Sequence, residues 1–169
     1  MYRLEEETEA DWWEAEALYD LVFAPGRTAL SSYRLRDGVP PVAELCLTLR
    51  ADDGALAGVI RYWPVRVAGQ RVLLLGPVAV HPTRQGEGLG ALLLFDSLAE
   101  AHRLGWERVL LVGDLPYYRR FGFVKLDGVI MPPPTNPDRV LGRELVPGAW
   151  AGLVGQVEKE PVAAVPPVT

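Results

Sequence analysis

The residues from 75 to 90 have the types and spacing that could hold an extended, negatively charged ligand. Pro77 has no backbone N–H to donate, so its place within an apolar strand marks a point where strand pairing stops. With Gly76 beside it, the strand should kink and its neighbour should splay away. The backbone groups of Val78 and Val80 would then lack partners inside a sheet, and an amide-bearing ligand lying in the gap could supply them.

Three glycines at alternate positions, Gly86, Gly88 and Gly90, stand at the start of the longest helical segment. Glycines in this arrangement let backbone N–H groups converge on an anion without interference from Cβ atoms, and a helix N-terminus adds its unpaired donors and positive dipole end. We therefore expect a phosphate or pyrophosphate here. A flexible connection between strand and helix is the plainer explanation of the same glycines.

The segment from Gly86 to Ala91 also fits the GxGxxG/A pattern of dinucleotide-binding folds, and Asp114 follows the next strand, near the place of a ribose-binding carboxylate. In those folds the first glycine directly follows the strand, whereas residues 81–85 intervene here. The preceding strands also indicate an antiparallel hairpin set without a crossover helix. Binding of a dinucleotide such as NAD is therefore the second interpretation.

A further candidate segment, residues 113–123, begins where the next strand ends. Asp114 can cap a short helix with Pro116 in its first turn, and Gly122 would end that helix. The helix would start at the C-terminal edge of a parallel strand pair, where open α/β sheets bind ligands. It would carry polar side chains to the same edge as the glycine loop: Tyr117, Tyr118, Arg119 and Arg120.

The surrounding elements indicate a mixed α/β (α+β) fold. A capping box at Thr8 and Asp11 predicts a helix that ends at Pro25-Gly26, and a second short helix is expected over residues 28–35. An antiparallel hairpin set follows, with strands expected near residues 45–50, 56–63 and 71–80. The last of these is almost wholly apolar, which predicts a central strand covered on both faces.

The long helix is expected over residues 88–104, ending at Gly105. Its predicted buried side consists of Leu89, Leu92, Leu93, Leu98 and Ala101. A buried strand over residues 108–112 follows, so the two strands should be parallel with a right-handed crossover, and a last strand is expected near residues 140–146. We expect one domain over residues 1–157 and a loose, proline-rich tail over residues 158–169.

Composition excludes several classes of function. The chain has 169 residues, a net charge of −5, one cysteine and two histidines, so disulfides within it, metal clusters and nucleic-acid binding are not expected. No apolar run approaches the ~20 residues of a membrane span. Four carboxylates among the first nine residues argue against a signal peptide, so a cytoplasmic protein without membrane association is expected.

The chain resembles the GNAT N-acetyltransferase superfamily over about residues 39–123. Gln85-x-x-Gly88-x-Gly90 matches the family's (Arg/Gln)-x-x-Gly-x-(Gly/Ala) acetyl-CoA motif, and Tyr118-x-x-x-Gly122-Phe123 matches its Tyr-x-x-x-Gly-Phe element. The form Gly-Asp-x-x-Tyr-Tyr-x-x-Phe-Gly-Phe is similar to that of a bacterial subgroup of largely unassigned acetyltransferases.

The resemblance implies the GNAT fold: a mixed, mostly antiparallel sheet with a splayed central parallel pair and flanking helices. It implies acetyl-CoA as co-substrate, no metal, and Tyr118 as the general acid. The pantetheine arm would lie along Val78, Ala79 and Val80. The pyrophosphate would lie on the loop residues Gln85, Gly86, Glu87, Gly88, Leu89, Gly90 and Ala91.

The implied reaction is direct attack by a neutral amine on the thioester within a ternary complex. The acceptor would be a small-molecule or peptide amine, and the protein a monomer or homodimer. Because residues 71–80 contain no carboxylate, Glu44 or a chain of waters would have to act as base, and the role of Asp114 stays open. A non-catalytic acyl-CoA-binding sensor or partner module is an alternative, against which the retained Tyr118 argues.

Charge is unevenly distributed. Residues 1–20 hold eight carboxylates, which with Trp12 and Trp13 hint at a cationic amine acceptor, although a solvated acidic helix face explains the same charges. Residues 54–86 hold four arginines and no carboxylate, so this segment could face an anionic ligand. Four solvated arginines at strand ends are the plainer explanation.

Overall fold

The computed structural model describes residues 1–23, 27 and 31–161, and these contain four α-helices and nine strands. The helices are α1 (Trp12–Val22), α2 (Ser31–Arg34), α3 (Leu89–Arg103) and α4 (Leu115–Tyr118). The strands are β1 (Tyr2–Glu6), β2 (Leu47–Ala51), β3 (Leu56–Val67), β4 (Gln70–Val80), β5 (Arg108–Val112), β6 (Val124–Lys125), β7 (Val129–Ile130), β8 (Val140–Glu144) and β9 (Gly155–Lys159).

The strands form one mixed sheet in the order β1-β2-β3-β4-β5-β8-β6, and β9 pairs with both β3 and β7. Neighbours from β1 to β4 are antiparallel, as are β5, β8 and β6, whereas β4 and β5 are parallel. A mixed, mostly antiparallel sheet with a central parallel pair and flanking helices is thereby confirmed. The second interpretation, a dinucleotide-binding fold, is wrong, because an antiparallel hairpin set precedes the parallel pair.

Strand β4 lies in the middle of this sheet and is covered on both faces, as its apolar sequence predicts. Side chains alternate along a strand: Leu73 and Leu75 belong to the core beneath α3, whereas Val72 and Leu74 belong to the core on the opposite face. Helix α1 packs against β3 and β4 and builds a third, smaller core around Tyr19.

Helix α3 buries a stripe that differs from the predicted one at one position. Leu92 is 38% exposed, and Leu94 is buried in its place together with Leu98 and Ala101. Two residues apart on a helix means about 160° apart around its axis, so the two leucines cannot share a face. Gly105, with φ +93°, follows the helix as predicted, and its N–H donates to the His102 carbonyl.

The N-terminal helices begin and end differently from the prediction. The capping box is confirmed, because the Thr8 N–H donates to the Asp11 carboxylate at 2.7 Å. Helix α1 ends at Val22, and the predicted Pro25-Gly26 stop lies outside the described residues. Helix α2 covers only residues 31–34 of the predicted 28–35, of which residues 28–30 are likewise outside the described part.

Strands β1 and β9 are among those that the sequence pattern did not predict, and they extend the sheet with residues near the two ends of the described chain. In β1 only Tyr2 and Leu4 pack against the core, so its pattern is too polar to identify it as a strand. The expected tail began at residue 158, but residues 158 and 159 belong to β9 and pair with β3. Residues 162–169 of that expected tail lie outside the described residues.

Candidate active site

The parallel strands β4 and β5 separate after two residue pairs. Among the described residues they pair only at Leu73 with Val109 and at Leu74 with Leu110. Gly76, two residues after Leu74, has a φ of +123°, a conformation that residues with side chains rarely adopt. Beyond this kink β4 stays with β3 and β5 stays with β8, so a cleft of about 920 Å³ opens between them.

The edge of β4 that faces this cleft is the one predicted to need partners. The N–H of His81, the residue after β4, donates to the carbonyl of Ala57 on β3 at 2.8 Å, so this N–H points toward β3. Backbone groups alternate sides along a strand. The N–H groups of Val78 and Val80 therefore point away from β3, into the cleft, where an extended ligand can pair with them.

The glycine loop joins the end of β4 to the N-terminus of α3. Gly86 and Gly88 have φ values of +87° and +79°, and Gly88 is the N-cap residue of the 15-residue α3. A Cβ atom at either glycine would have no neighbour within 4 Å, so the loop surface is open. The open backbone and helix terminus form a site suited to a phosphate group.

Gln85, Gly86, Gly88, Leu89, Gly90 and Ala91 all line the cleft. Beside them Arg84 Nη1 donates to the hydroxyl of Tyr2 at 3.2 Å, and that hydroxyl donates to Glu87 at 2.8 Å. The side chain of Glu87 is therefore engaged with β1. Of the loop residues predicted to hold a pyrophosphate, Glu87 is the one outside the cleft wall.

Two tyrosines of α4 face different parts of the cleft. The Tyr118 ring lies on the backbone of Gly113, where a Cβ atom would stand 2.5 Å from Cε2. The Tyr117 hydroxyl lies over the first turn of α3, 2.9 Å from where a Cβ atom of Gly90 would be. The two rings meet edge to face at 4.9 Å, so each limits the movement of the other.

Burial raises the pKa of Tyr118 to about 12, with Tyr117 and Asp114 adding to the rise and Arg139 opposing it. The Tyr118 hydroxyl has no hydrogen-bond partner among the described residues. Its half-buried ring packs against Phe121 and Phe123. The phenol is thus protonated at neutral pH and free to donate to a ligand in the cleft.

The described wall of the cleft is strongly basic. It includes one carboxylate, Asp114, which lies 3.5 Å from Arg139. Five arginines line it: Arg27, Arg36, Arg84, Arg120 and Arg139. Arg120 lies over the Tyr117 ring at 4.6 Å, whereas Arg119 is exposed outside the wall. The structure thus brings to the cleft Arg120, from the helix expected at the loop edge, and Arg84, one of the four arginines of residues 54–86.

The acidic N-terminal segment does not present its charges to the cleft. Three arginines from other parts of the chain bind its carboxylates: Arg61 binds Glu7, Arg50 binds Asp11 and Glu14, and Arg27 binds Glu16 and Asp20. Trp12 lies beneath Arg61 at 4.6 Å, and Trp13 is 81% exposed. Five of the eight carboxylates are therefore paired with these arginines, and none of the eight lines the cleft, so this segment gives the hypothesis of a cationic acceptor no support.

Two further sequence candidates lie away from the cleft. Glu44 is exposed in a 3₁₀ turn before β2 and is not among the residues that line the cleft. Cys46 is buried, donates through Sγ to the Val42 carbonyl at 3.4 Å, and has its pKa raised to about 11 by burial. It is an inert structural thiol.

Asp114 caps α4 through its backbone, since its carbonyl accepts from the Tyr118 N–H at 3.0 Å. Its side chain turns instead to Arg139, which sequence reasoning missed. The carbonyl of Arg139, just before β8, accepts from the N–H of Gly113, just after β5, at 2.9 Å. This backbone hydrogen bond holds Arg139 beside the cleft. Arg27, Tyr33 and Arg36 were also missed, because long-range packing brings them to the cleft.

No group of three or more histidine, cysteine, aspartate or glutamate side chains in the described chain is arranged to hold a metal ion. In the same residues, no helix combines the length and apolar character needed to cross a membrane.

Comparison with known sequences gives one family match and one group of relatives. The sequence model of the acetyltransferase (GNAT) family matches residues 4–123. The curated protein described as uncharacterized N-acetyltransferase YhbS, from Escherichia coli, is 33% identical over 81 residues. That alignment covers 47% of this chain and 48% of the relative, so the chain spans about half the length of the curated relatives it matches.

Two solved structures are similar over nearly the whole chain. YhbS from Escherichia coli, a GNAT family N-acetyltransferase solved in complex with CoA, superposes with a TM-score of 0.81 at 26% identity, covering 94% of this chain and 89% of its own. A GNAT family acetyltransferase from Brucella melitensis, solved with acetyl-CoA, gives a TM-score of 0.73 at 26% identity, covering 95% and 96%.

Proposed function

The chain belongs to the GNAT acetyltransferase family, and on this premise we propose that it transfers an acetyl group from acetyl-CoA to a primary amine within a ternary complex. The observation that carries the proposal is the unpaired edge of β4, which leads directly into the open glycine loop at the N-terminus of α3. An extended arm with amides and a pyrophosphate at one end matches that sequence of features. The similar proteins YhbS and its Brucella counterpart were solved with CoA and acetyl-CoA.

The proposed binding mode assigns the two halves of the cofactor to two stretches of backbone. Val78, Ala79 and Val80 would pair with the pantetheine amides. The pyrophosphate would lie on the loop from Gln85 to Ala91, with Arg84 and Arg120 close enough to add charge. This division follows from the chain direction, because β4 ends where the loop begins.

Catalysis in this proposal depends on placement and on one proton donor. Holding amine and thioester together removes much of the entropic barrier to their reaction. The amine attacks the thioester carbonyl, the carbon–sulfur bond breaks, and Tyr118 protonates the departing thiolate. Because the pKa of Tyr118 is raised to about 12, the phenol keeps its proton until negative charge develops on the sulfur.

The described residues offer no carboxylate in the cleft that is free to act as base. Asp114 is next to Arg139, and Glu44 is away from the cleft. The proposal therefore has the amine lose its proton to solvent before or during attack. The rate should then rise with pH toward the pKa of the acceptor amine, which is ~8 for an α-amino group and ~10.4 for a lysine-like amine.

Binding and turnover test the proposal in two steps. Titration calorimetry should show that the protein binds acetyl-CoA and not NAD, and the reverse result would overturn the assignment. CoA release should then be measured against amines, amino acids, aminoglycosides and peptides, with at least one acceptor expected to be acetylated. Tight acetyl-CoA binding without turnover of any acceptor would instead favour a non-catalytic acyl-CoA-binding module.

A further inference from the structure

Arg36 is a buried cation on the wall of the cleft. Only 8% of its surface is exposed, and its guanidinium carbon lies 4.1 Å from the centre of the Tyr33 ring and 5.9 Å from that of Trp63. Its Nη2 atom stands 3.6 Å from the position that a Cβ atom on Gly76 would occupy. The guanidinium therefore meets β4 at the kink, two residues before Val78.

This cation has no counter-charge within the described part of the chain. No carboxylate there forms a salt bridge with Arg36, and its Nε and Nη1 atoms are buried without a hydrogen-bond partner. The indole Nε1 of the neighbouring Trp63 is buried and unpartnered as well. Burial lowers the pKa of Arg36, which reflects the cost of keeping the charged form there.

Two other buried arginines nearby show that the fold does supply acids where it buries a guanidinium. Arg27 is 7% exposed and binds Glu16 and Asp20, and Arg61 is 4% exposed and binds Glu7. Buried charges in proteins are usually paired in this way. Arg27 and Arg36 both line the cleft, but only Arg27 has acidic partners, so the missing partner of Arg36 is expected to come from a ligand in the cleft.

The cofactor phosphates would lie too far from Arg36 to be its partner. Val80 is four residues after Gly76, which is about 13 Å along a strand, and the glycine loop begins only after Val80. Arg36 is therefore at the opposite end of the cleft from the site assigned to the pyrophosphate. A group bound at Gly76 would belong to the other reactant, the acceptor.

We propose that Arg36 binds a carboxylate of the acceptor, so that the acceptors are amino acids or related amines with a carboxylate a few bonds from the nucleophile. The inference rests on the proposed acetyl transfer and specifies its substrate class. A guanidinium is planar and matches the two oxygens of a carboxylate. The strand distance from Gly76 to Val78, about 7 Å, limits how far the carboxylate and the amine can be apart.

Conjugates that join both reactants test this without requiring turnover. CoA is linked through its sulfur and an acetyl bridge to the amine of glycine, β-alanine or 4-aminobutyrate, and each conjugate is paired with its carboxamide. At one of these spacings the carboxylate should bind ten- to a hundredfold more tightly than the amide, on the order expected for a hydrogen bond to a charged group. Calorimetry measures each dissociation constant, with CoA alone as reference.

Three variants test whether Arg36 causes the preference for the carboxylate over the amide. Arg36→Gln should reduce the carboxylate-to-amide ratio to about one while leaving the affinity for CoA alone unchanged. Arg36→Lys, which keeps the charge without the planar fork, should retain part of the ratio. Arg34→Gln, which removes an exposed arginine two residues away, is the matched control and should keep the full ratio.

Each contrary outcome has a distinct meaning. A wild-type protein that binds CoA but shows no carboxylate preference at any spacing would overturn the inference, as would a preference that survives Arg36→Gln. Failure of CoA alone to bind would overturn the proposed function, and this inference with it. Unchanged CoA affinity in Arg36→Gln also excludes a general loss of folding as the cause of a lost preference.

Discussion

Gly113 follows β5 and lies against the ring of Tyr118, and a methyl group added there tests whether catalysis requires the observed position of the ring. A Cβ atom on Gly113 would be 2.5 Å from Tyr118 Cε2 and 3.0 Å from Leu111 Cδ1. Carbon atoms in contact prefer ~3.5–4.0 Å, so the ring has to retreat by about 1 Å. The bond from the Gly113 N–H to the Arg139 carbonyl involves only backbone and remains.

The magnitude follows from this displacement. A catalytic group misplaced by ~1 Å can cost ~10²-fold in rate, so Gly113→Ala should lower kcat about a hundredfold. Overpacking should also lower the free energy of unfolding by ~1–3 kcal/mol. For a chain of this length that is a fall in Tm of roughly 2–12 °C, so assays well below the melting transition separate the two effects.

Single-turnover acetyl transfer is the assay, with the acetyl-CoA dissociation constant measured in parallel and expected to be unchanged. The double variant Gly113→Ala/Tyr118→Phe should lose no more activity than Tyr118→Phe alone, because both changes remove the same proton donor. A wild-type rate in Gly113→Ala would contradict the prediction, because it would show that the position of the Tyr118 ring does not affect the transfer step. So would losses that multiply in the double variant, since they would show that Gly113 acts through something other than Tyr118.

Three further predictions concern the loop, the arginines and pH. Gly88→Val should weaken acetyl-CoA binding roughly five- to thirtyfold, because a left-handed backbone costs ~1–2 kcal/mol for a residue with a side chain; unchanged affinity in calorimetry would contradict the phosphate site. Arg84→Gln and Arg120→Gln should each weaken acetyl-CoA binding up to about fivefold and reduce its salt dependence, whereas the control Arg119→Gln should not. The same affinity and salt dependence in all three variants would show that Arg84 and Arg120 are solvated and do not contact the phosphates. Because Tyr118 keeps its proton to a pKa of about 12, the pH–rate profile should show no alkaline fall attributable to it below about pH 10; a limb that disappears in Tyr118→Phe would contradict this.

The parts of the site that the sequence could predict depend on backbone constraints. Proline lacks a donor and glycine permits positive φ whatever surrounds them, so the kink at Gly76 and the open loop at Gly88 are local properties. The apolar sequence of β4 likewise predicts a strand covered on both faces, and the helix that follows it predicts that the next strand is parallel to it. These features can be predicted without knowing which distant residues pack against them.

The rest depended on packing between distant segments. Arg36 meets Gly76 across the cleft, and Arg139 reaches Gly113 because β8 pairs with β5, so neither position has a local pattern that marks it. Strand β1 was missed because its polar sequence becomes a strand only by pairing with β2. The pairing of the acidic N-terminal segment could not be predicted for the same reason, since its arginine partners come from other parts of the chain.

The most direct test of the account compares single-turnover acetyl transfer by wild type, Tyr118→Phe and Tyr117→Phe on one acceptor. Tyr118→Phe should lower the rate by ~10²–10⁴ with acetyl-CoA affinity unchanged, the range of general acid catalysis. Tyr117→Phe should stay near the wild-type rate, because its ring still packs against Tyr118 and Phe121. Transfer by Tyr118→Phe at the wild-type rate, with chemistry rate-limiting, would contradict the assigned acid, and impairment of Tyr117→Phe alone would move the role to its neighbour.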